Sequence, residues 1–194
     1  MENERQVRHI DDARALKALA HPLRLDLLET LSVHGPLTAT AAAEIVGESP
    51  ANCSWHLRQL ATYGFIEEVP DATGRQRPWR RTSTGMDWSD TGPDATFEAA
   101  SKALTEVFID REVDLIKTAR VRPQPDGWGE TALATQSIAW LTLAEAEELA
   151  SAVTALICAR RDRTLDPSLR PPDARPFRLM ALGAADDNLG ARHE

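Results

Sequence analysis

Two helix-start signals that lie close together constrain the fold of this chain more than any other feature. Thr38 is a typical N-cap for a helix of sequence ATAAAEIV, which Gly47 ends. Ser49 caps the next helix and Pro50 takes its first position, where a backbone N–H is not needed. Because so short a glycine-containing turn joins them, the two helices must cross steeply, which predicts a helix-turn-helix unit.

Helical segments precede this unit. Asp11 or Asp12 can cap a first helix, and Pro22 suits the start of a second. The leucines of the second helix recur at the spacing of one buried stripe until Gly35 and Pro36 end it. These segments supply apolar faces against which the helix-turn-helix unit can pack.

A hairpin follows the unit. Gly64 ends the second helix, residues 65–69 read as a strand, and residues 75–82 return as another strand after a turn. Pro78 marks the returning strand as an edge strand, because proline cannot donate to a ladder. The hairpin makes residues 11–85 a winged helix-turn-helix domain, and the whole chain is predicted to be a mostly helical α+β protein.

Charge is distributed unevenly. The chain carries a net charge of −8, yet the segment from Gly74 to Gly85 has four arginines and no acid. An acidic body with one basic stripe is compatible with nucleic-acid binding at a restricted surface. A solvated face is the plainer interpretation of such a stripe.

The order of LKALAHPLRLDLLETL, WHLRQL, YGFIEEV and RQRPWRRT, across roughly residues 12–85, resembles ArsR-type winged helix-turn-helix repressors. The resemblance implies a homodimer that binds double-stranded DNA as a repressor and releases it when a metal or another signal arrives. Carried over by position, it implies a DNA-binding set on the second helix and the wing: Ser49, Ala51, Asn52, Ser54, Trp55, His56, Arg58, Arg75, Gln76, Arg77 and Arg80.

Individual roles follow from chemistry. Ser49 and the amides after it can hold a phosphate at the helix N-terminus, and Asn52 and His56 can meet base edges one turn apart. Arg58 and the wing arginines suit phosphates. Trp55 can press on a thymine methyl or a sugar. For His56 the alternative is a surface histidine without a role, and for Trp55 it is partial burial against the wing.

The rest of the chain reads as a second region, residues 94–182, after a polar linker over residues 85–96. One long helix is predicted from Thr96 to about Val121, and its apolar stripe needs a partner, for which a second copy is the simplest choice. The predicted dimer contacts are Phe97, Leu104, Val107, Phe108 and Leu115.

Residues 129–182 combine two strand-like stretches with one capped helix. Ala132 to Leu141 and Phe177 to Leu182 read as two strands that could pair, and Thr142 with Glu145 forms a capping box that opens a helix. This region could form an apolar pocket for a small organic effector, or it could extend the dimer interface. Residues 183–194 read as a frayed tail.

Metal and redox chemistry depend on Cys53. His56 follows it in the helix, but two ligands cannot close a tetrahedral site and the long helix has no histidine or cysteine, so we expect no metal. At a helix N-terminus the pKa of the Cys53 thiol should fall, which would suit a redox switch. The alternative is a small buried residue in the helix packing.

Other classes of protein are not favoured. The sequence has no GxSxG motif, no phosphate-binding glycine loop and no paired carboxylates in an apolar frame, so we expect neither an enzyme nor a cofactor. No apolar run is long enough for a membrane span, and the charged N-terminus with only two cysteines favours a cytoplasmic location. A protein-interaction module that never touches DNA and a metal-responsive repressor stay as alternatives.

Overall fold

The computed structural model describes residues 7–70, 77–83, 85–125 and 127–186. Within those ranges the chain is mostly helical, as the sequence predicted, and it has four short strands. In chain order the elements are β1 (Val7–His9), α1 (Ala13–Leu19), α2 (Pro22–His34), α3 (Ala39–Val46), α4 (Pro50–Thr62), β2 (Ile66–Glu68), β3 (Trp79–Arg81), β4 (Gly85–Asp87), α5 (Ala95–Val121), α6 (Leu143–Cys158) and α7 (Asp162–Leu165). Among these helices none combines the length and apolarity of a membrane span.

Local signals set the ends of the first four helices where the sequence predicted them. The Asp12 side chain accepts from the backbone N–H groups of Arg14 and Ala15 at the start of α1. Pro22 begins α2, and Thr38 caps α3 through the N–H of Ala41. Each of these bonds satisfies a donor that has no partner inside its helix.

The turn between α3 and α4 has the geometry of a helix-turn-helix. Gly47 has φ of 76°, a left-handed conformation that glycine adopts without strain. Ser49 then caps α4 by accepting from the N–H of Asn52 at 3.2 Å. The two helices pack directly on each other and on α2.

The apolar faces of α1 to α5 meet in one core, which also includes Phe65 and Ile66 at the start of the wing. Its fully enclosed members are mainly leucines, whose burial stabilises each helix by about 1.5–3 kcal/mol a side chain. The largest of them are Phe65, Ile10, Leu16, Leu19, Leu27, Leu28, Leu57, Leu60, Ile66 and Leu104.

The wing is an antiparallel pair of β2 and β3, in which Ile66 lies opposite Arg81 and Glu67 opposite Arg80. A backbone bridge between Leu37 and Trp79 ties the wing to the segment that precedes α3. The predicted hairpin is therefore confirmed in its described residues. Its tip, residues 71–76, lies outside them.

A second, parallel pair was not predicted. β1 pairs with β4 in the register Val7 to Gly85, Arg8 to Met86 and His9 to Asp87. The prediction of a plain polar linker over residues 85–96 is thus wrong at its start. Each strand has only three residues, which is too short for an alternating pattern to mark it in the sequence.

The long helix α5 is confirmed, but its apolar stripe does not lack a partner within the chain. Its first half packs against α1, and Phe97 and Leu104 are enclosed in the core. Phe108 makes an edge-to-face contact with Trp88, with ring centroids 5.6 Å apart. These three residues therefore serve the chain's own packing, while Val107 and Leu115 stay half-buried.

The region after α5 differs most from expectation. The predicted capping box is confirmed, since Thr142 and Glu145 exchange side-chain and backbone hydrogen bonds at the start of α6. The two predicted strands are wrong: residues 132–141 and 177–182 form no ladder in the structure. An extended segment without a neighbouring strand makes no ladder hydrogen bonds, although the Leu133 carbonyl accepts from the Arg120 guanidinium at 3.1 Å.

A network of ion pairs holds this region to the core. Arg111 of α5 contacts Asp26 at 2.7 Å and Glu29 at 2.6 Å, both on α2, and its neighbour Glu112 at 2.6 Å. Arg178 contacts Glu112 at 2.7 Å and also pairs with Glu29. The segment around Arg178 is therefore fixed by charge, not by strand pairing.

Candidate nucleic-acid interface

Helix α4 divides into a buried face and an outward face. Cys53, Leu57 and Leu60 are completely buried, and Ala61 is partly buried against the core. Because a helix repeats every 3.6 residues, most of the side chains between these positions point outward, and His56 is the exception. The predicted inward positions Leu57, Leu60 and Ala61 are confirmed.

The structure brings most of the predicted DNA-binding residues of α4 to its outward face. Ser49, Ala51, Asn52, Trp55 and Arg58 are exposed. Ser54 is half-buried beside the wing, and His56 is not on this face.

Asn52 and Arg58 differ in whether their side chains already bind another residue of the protein. The Asn52 amide donates to a carboxylate oxygen of Glu48 at 3.1 Å. Asn52 must give up this contact to present both its donor and its acceptor to a base. Arg58 forms no ion pair with any described residue, so its charge is available to an anion.

The prediction that His56 is exposed is wrong, because only 4% of it is accessible. Its Nδ1 accepts from Nε of Arg24 at 3.2 Å, and its ring lies 4.4 Å from that of His21. Burial, then the nearby charges of His21 and Arg24, lower the pKa of His56. Burial and Arg24 likewise lower the pKa of His21, whose Nδ1 is buried without a partner. His56 therefore joins α4 to α2 as a neutral ring.

Trp55 is half accessible, at 51%. Its ring meets His56 edge-on at 4.7 Å, and the Arg24 guanidinium lies 5.7 Å from its centroid. Both of these ring contacts are with α2 and its own helix, and neither is with the described part of the wing. An arginine over an indole is a favourable cation–π arrangement that also holds the ring in place.

Cys53 does not have the environment of a redox switch. The thiol is fully buried, and burial, with a smaller effect of the Glu48 charge, raises its pKa. The expectation of a lowered pKa is wrong because the helix N-terminus acts on a group that water cannot reach. Cys53 packs as a small apolar residue.

Two arginines of the wing form ion pairs with glutamates of the opposite strand. Arg77 contacts Glu68 at 3.1 Å, and Arg80 contacts Glu67 at 2.7 Å. These glutamates lie on β2, so folding brings two negative charges beside the basic stripe. Arg75 and Gln76, the other predicted wing contacts, lie outside the described residues.

A cleft of about 380 Å³ separates α4 from the wing. Ser54 and Arg58 line it from the helix, and Arg77 and Trp79 from the wing. Its other lining residues include Thr40 at the start of α3 and Glu68. Two cations facing each other across a groove can hold a phosphate chain between them.

Sequence reasoning missed Arg24 and Trp79. Arg24 positions both Trp55 and His56, although it lies 32 residues before His56 in the chain. Trp79 fixes the base of the wing through its backbone bonds to Leu37. No local signal marks either residue, because each acts on a segment that only the fold brings near.

No group of three or more histidine, cysteine or acidic side chains within the described ranges is arranged to hold a metal ion. Cys53 and His56, the two possible ligands that the sequence offers in α4, have other surroundings: His56 accepts from Arg24, and Cys53 is enclosed in the core.

Comparison with known families adds one finding. A family model described as a helix-turn-helix domain matches residues 19–69, about a quarter of the chain, from the end of α1 to β2. No curated protein matches the chain. The match covers α3 and α4 and supports a helix-turn-helix regulator of the DNA-binding kind.

Proposed function

We propose that this protein is a sequence-specific DNA-binding transcriptional regulator of ArsR-like type. The observation that carries the proposal is the outward face of α4, where Asn52, Trp55 and Arg58 are exposed on the second helix of a helix-turn-helix. The opposite face is fixed in the core, so the helix is rigidly presented. A helix of this kind fits the major groove, and the adjacent wing reaches the flanking backbone.

The side chains divide the task. Asn52 would read a base edge, with adenine preferred, and Trp55 would contact a thymine methyl or a sugar. Ser49 and the first amides of α4, with Arg58, Arg77 and Arg80, would hold phosphates. His56 has no direct contact in this scheme and instead sets the position of Trp55.

We further propose that the protein acts as a homodimeric repressor, as the ArsR resemblance implies. A two-fold dimer places two copies of α4 about one DNA turn apart, so its operator would be an imperfect palindrome. Support for self-association comes from α6, where Leu143, Leu149 and Leu156 are 77%, 54% and 77% exposed. The first half of α6 is acidic and Arg160 follows its end, so two copies packed antiparallel would bring opposite charges together. This would move the dimer contact from the predicted face of α5 to α6.

The first experiment is binding-site selection from a random duplex library at about physiological salt. A specific regulator should enrich one sequence by ~10³-fold or more over non-specific binding. Recovery of a palindrome would support both the regulator and the dimer. Recovery of no sequence by a folded dimer would contradict direct sequence reading.

Two variants separate base reading from backbone binding. Asn52→Ala should relax base choice, with a loss of about 1–3 kcal/mol on the preferred site only. Arg77→Ala should weaken binding to all sequences and reduce the salt slope by about 1. Equal loss of discrimination in both variants would contradict this division.

The dimer interface has its own test. Replacing Leu149 and Leu156 by glutamate should give a folded monomer by light scattering with an unchanged circular dichroism spectrum. The matched control replaces Val121, an exposed residue at the end of α5, by glutamate and should stay dimeric. A dimer that survives the α6 substitutions would place the contact elsewhere.

The apolar surface of residues 133–182 also favours a second candidate, in which the protein binds another protein instead of DNA. Salt-dependent retention on duplex DNA distinguishes the two. The metal-responsive alternative is tested by the metal content of the purified protein.

A further inference from the structure

A second cleft, of about 400 Å³, lies away from the outward face of α4. Its walls are Leu25 of α2, Met86 of β4, Trp88 and Phe108 of α5. Trp88 is held by its edge-to-face contact with Phe108 and by a 2.9 Å hydrogen bond from its Nε1 to the Thr105 hydroxyl. These side chains give the cleft an apolar, partly aromatic lining.

One end of the cleft is formed by Arg81, the last residue of β3. Strand residues alternate in direction, so Arg80 turns to Glu67 on one side of the strand while Arg81 turns to Ser32 on the other. Arg81 donates to the Ser32 hydroxyl at 2.7 Å, but its Nε is buried without a partner and it pairs with no carboxylate in the described chain. Ser83, two residues further, also has a buried hydroxyl without a partner.

A second cation borders the same end. The Arg161 guanidinium packs on Gly85, where an added Cβ would lie 3.2 Å from its Cζ. Burial, then the Arg161 charge, lowers the pKa of Arg81 to about 10, so Arg81 stays charged at neutral pH. Holding a half-buried cation beside another cation is unfavourable unless an anion accompanies them.

We propose that this cleft binds a small organic anion with an apolar, aromatic-sized body, whose carboxylate pairs with Arg81 while the body packs on Trp88 and Phe108. An inorganic anion would leave the apolar walls unused. Asp87 also lines the cleft, bound to His9 at 2.6 Å, and would repel a second negative charge. The site therefore selects monoanions.

The position of the site suggests its use, and this step rests on the proposed DNA-binding function. Arg81 is adjacent to Arg80 of the wing and reaches Ser32 of α2, and Arg161 belongs to the C-terminal region. An anion bound between the two arginines would draw the wing and that region together. The ligand would thus be the effector that changes DNA affinity.

Binding is tested without DNA, on the full chain, with 2-naphthoate and its neutral counterpart 2-naphthamide. Calorimetry should show that the acid binds at least about tenfold more tightly than the amide, because a charge-assisted pair is lost in the amide. Arg81→Met should remove this preference. Arg80→Met, on the other side of the same strand, should keep it.

The thermal midpoint separates a binding role from a structural one. If Arg81 serves a ligand, Arg81→Met without ligand should melt at the same temperature as the parent or higher, because an unpaired half-buried charge is removed. A lower midpoint would assign Arg81 to folding through Ser32. If Arg81→Met does not fold, a second variant tests the site. Met86→Trp fills the cleft from a half-buried position and must abolish naphthoate binding.

Equal binding of acid and amide, no binding of 2-naphthoate by the parent chain, or unchanged binding by Met86→Trp would each overturn the proposal. DNA retention is then measured with and without 2-naphthoate. Naphthoate binding without any DNA retention would leave the ligand site intact and refute only the DNA-binding function.

Discussion

His56 lies on the buried side of α4 and supports the outward face of that helix. Its ring lies between His21 and Trp55, and its Nδ1 accepts from Arg24, so the neutral form with a proton on Nε2 fits the site. A protonated ring would lose this acceptor and face a second cation in a buried setting. The side chain that sequence reasoning assigned to base contact is better understood as a support for Trp55.

This arrangement predicts that stability falls in mild acid. The folded pKa of His56 is lowered by burial, then by His21 and Arg24, with Glu48 opposing, so the unfolded chain takes up protons first. The stability that neutral His56 contributes is fully present above the pKa of about 6.5 that histidine has in the unfolded chain. This contribution is lost as the pH falls below that value. Thermal melts at several pH values between neutral and mildly acid conditions would measure the effect.

The variant His56→Gln keeps an acceptor for Arg24 but cannot take up a proton. On acidification its thermal midpoint should therefore fall less than that of the parent chain. His34→Gln, at an exposed position on α2, is the matched control and should follow the parent. A decline as steep in His56→Gln as in the parent would contradict the role given to His56.

At the scale of elements, the wing carries both signs of charge on one surface. Glu67 and Glu68 of β2 lie across the hairpin from Arg80 and Trp79, and each glutamate pairs with an arginine. Exposed pairs of this kind contribute about 0.2–1 kcal/mol. They therefore hold the arginines in place without preventing a phosphate from displacing the carboxylate.

Removing these acids should strengthen DNA binding. Glu67→Gln with Glu68→Gln frees two arginines and lowers repulsion, and we expect affinity to rise up to about fivefold with a steeper salt slope. Fluorescence polarisation at several salt concentrations measures both quantities. Glu106→Gln, exposed on α5, changes the net charge at a distant site and should have a much smaller effect. Weaker binding of the wing variant would mean that the acids position the arginines productively.

At the scale of the whole molecule, the ion network around Arg111 joins three parts of the chain. Asp26 and Glu29 come from α2, Arg111 and Glu112 from α5, and Arg178 from the segment after α7. Burial raises the pKa of Glu29, but hydrogen bonds from Arg178 and Arg111 outweigh it and the pKa is lowered overall. The network fixes the C-terminal region although that region adds little to the core.

Loss of Arg111 should be severe. Its side chain is 10% accessible and that of Glu112 is 9%. Arg111→Met would leave Arg178 as the one cation still paired with Glu112 and Glu29 in the described chain, and it would take the ion pair from Asp26. We expect a loss of about 3–5 kcal/mol in the free energy of unfolding, measured by urea denaturation. Lys117→Met breaks the exposed pair with Asp114 and should cost under ~1 kcal/mol. Similar losses in both variants would show that burial does not strengthen the network.

The sequence by itself determined the ends of the helices and the turn between α3 and α4. Thr38, Ser49 and Thr142 act within three residues of themselves, and Gly47 needs only its own backbone freedom. Such signals are local, so they do not depend on how distant parts of the chain pack. The same holds for the outward orientation of Asn52 and Arg58, which follows from the helical repeat.

Only the tertiary structure decided which side chains these elements meet. The partner of His56 lies 32 residues away, β1 pairs with β4 at the other end of the domain, and part of the stripe of α5 packs on α1. Arg81 and its neighbour Arg80 have the same side chain, but opposite sides of one strand give them different surroundings. Burial and pairing depend on chain segments distant in sequence, and no local pattern carries that information.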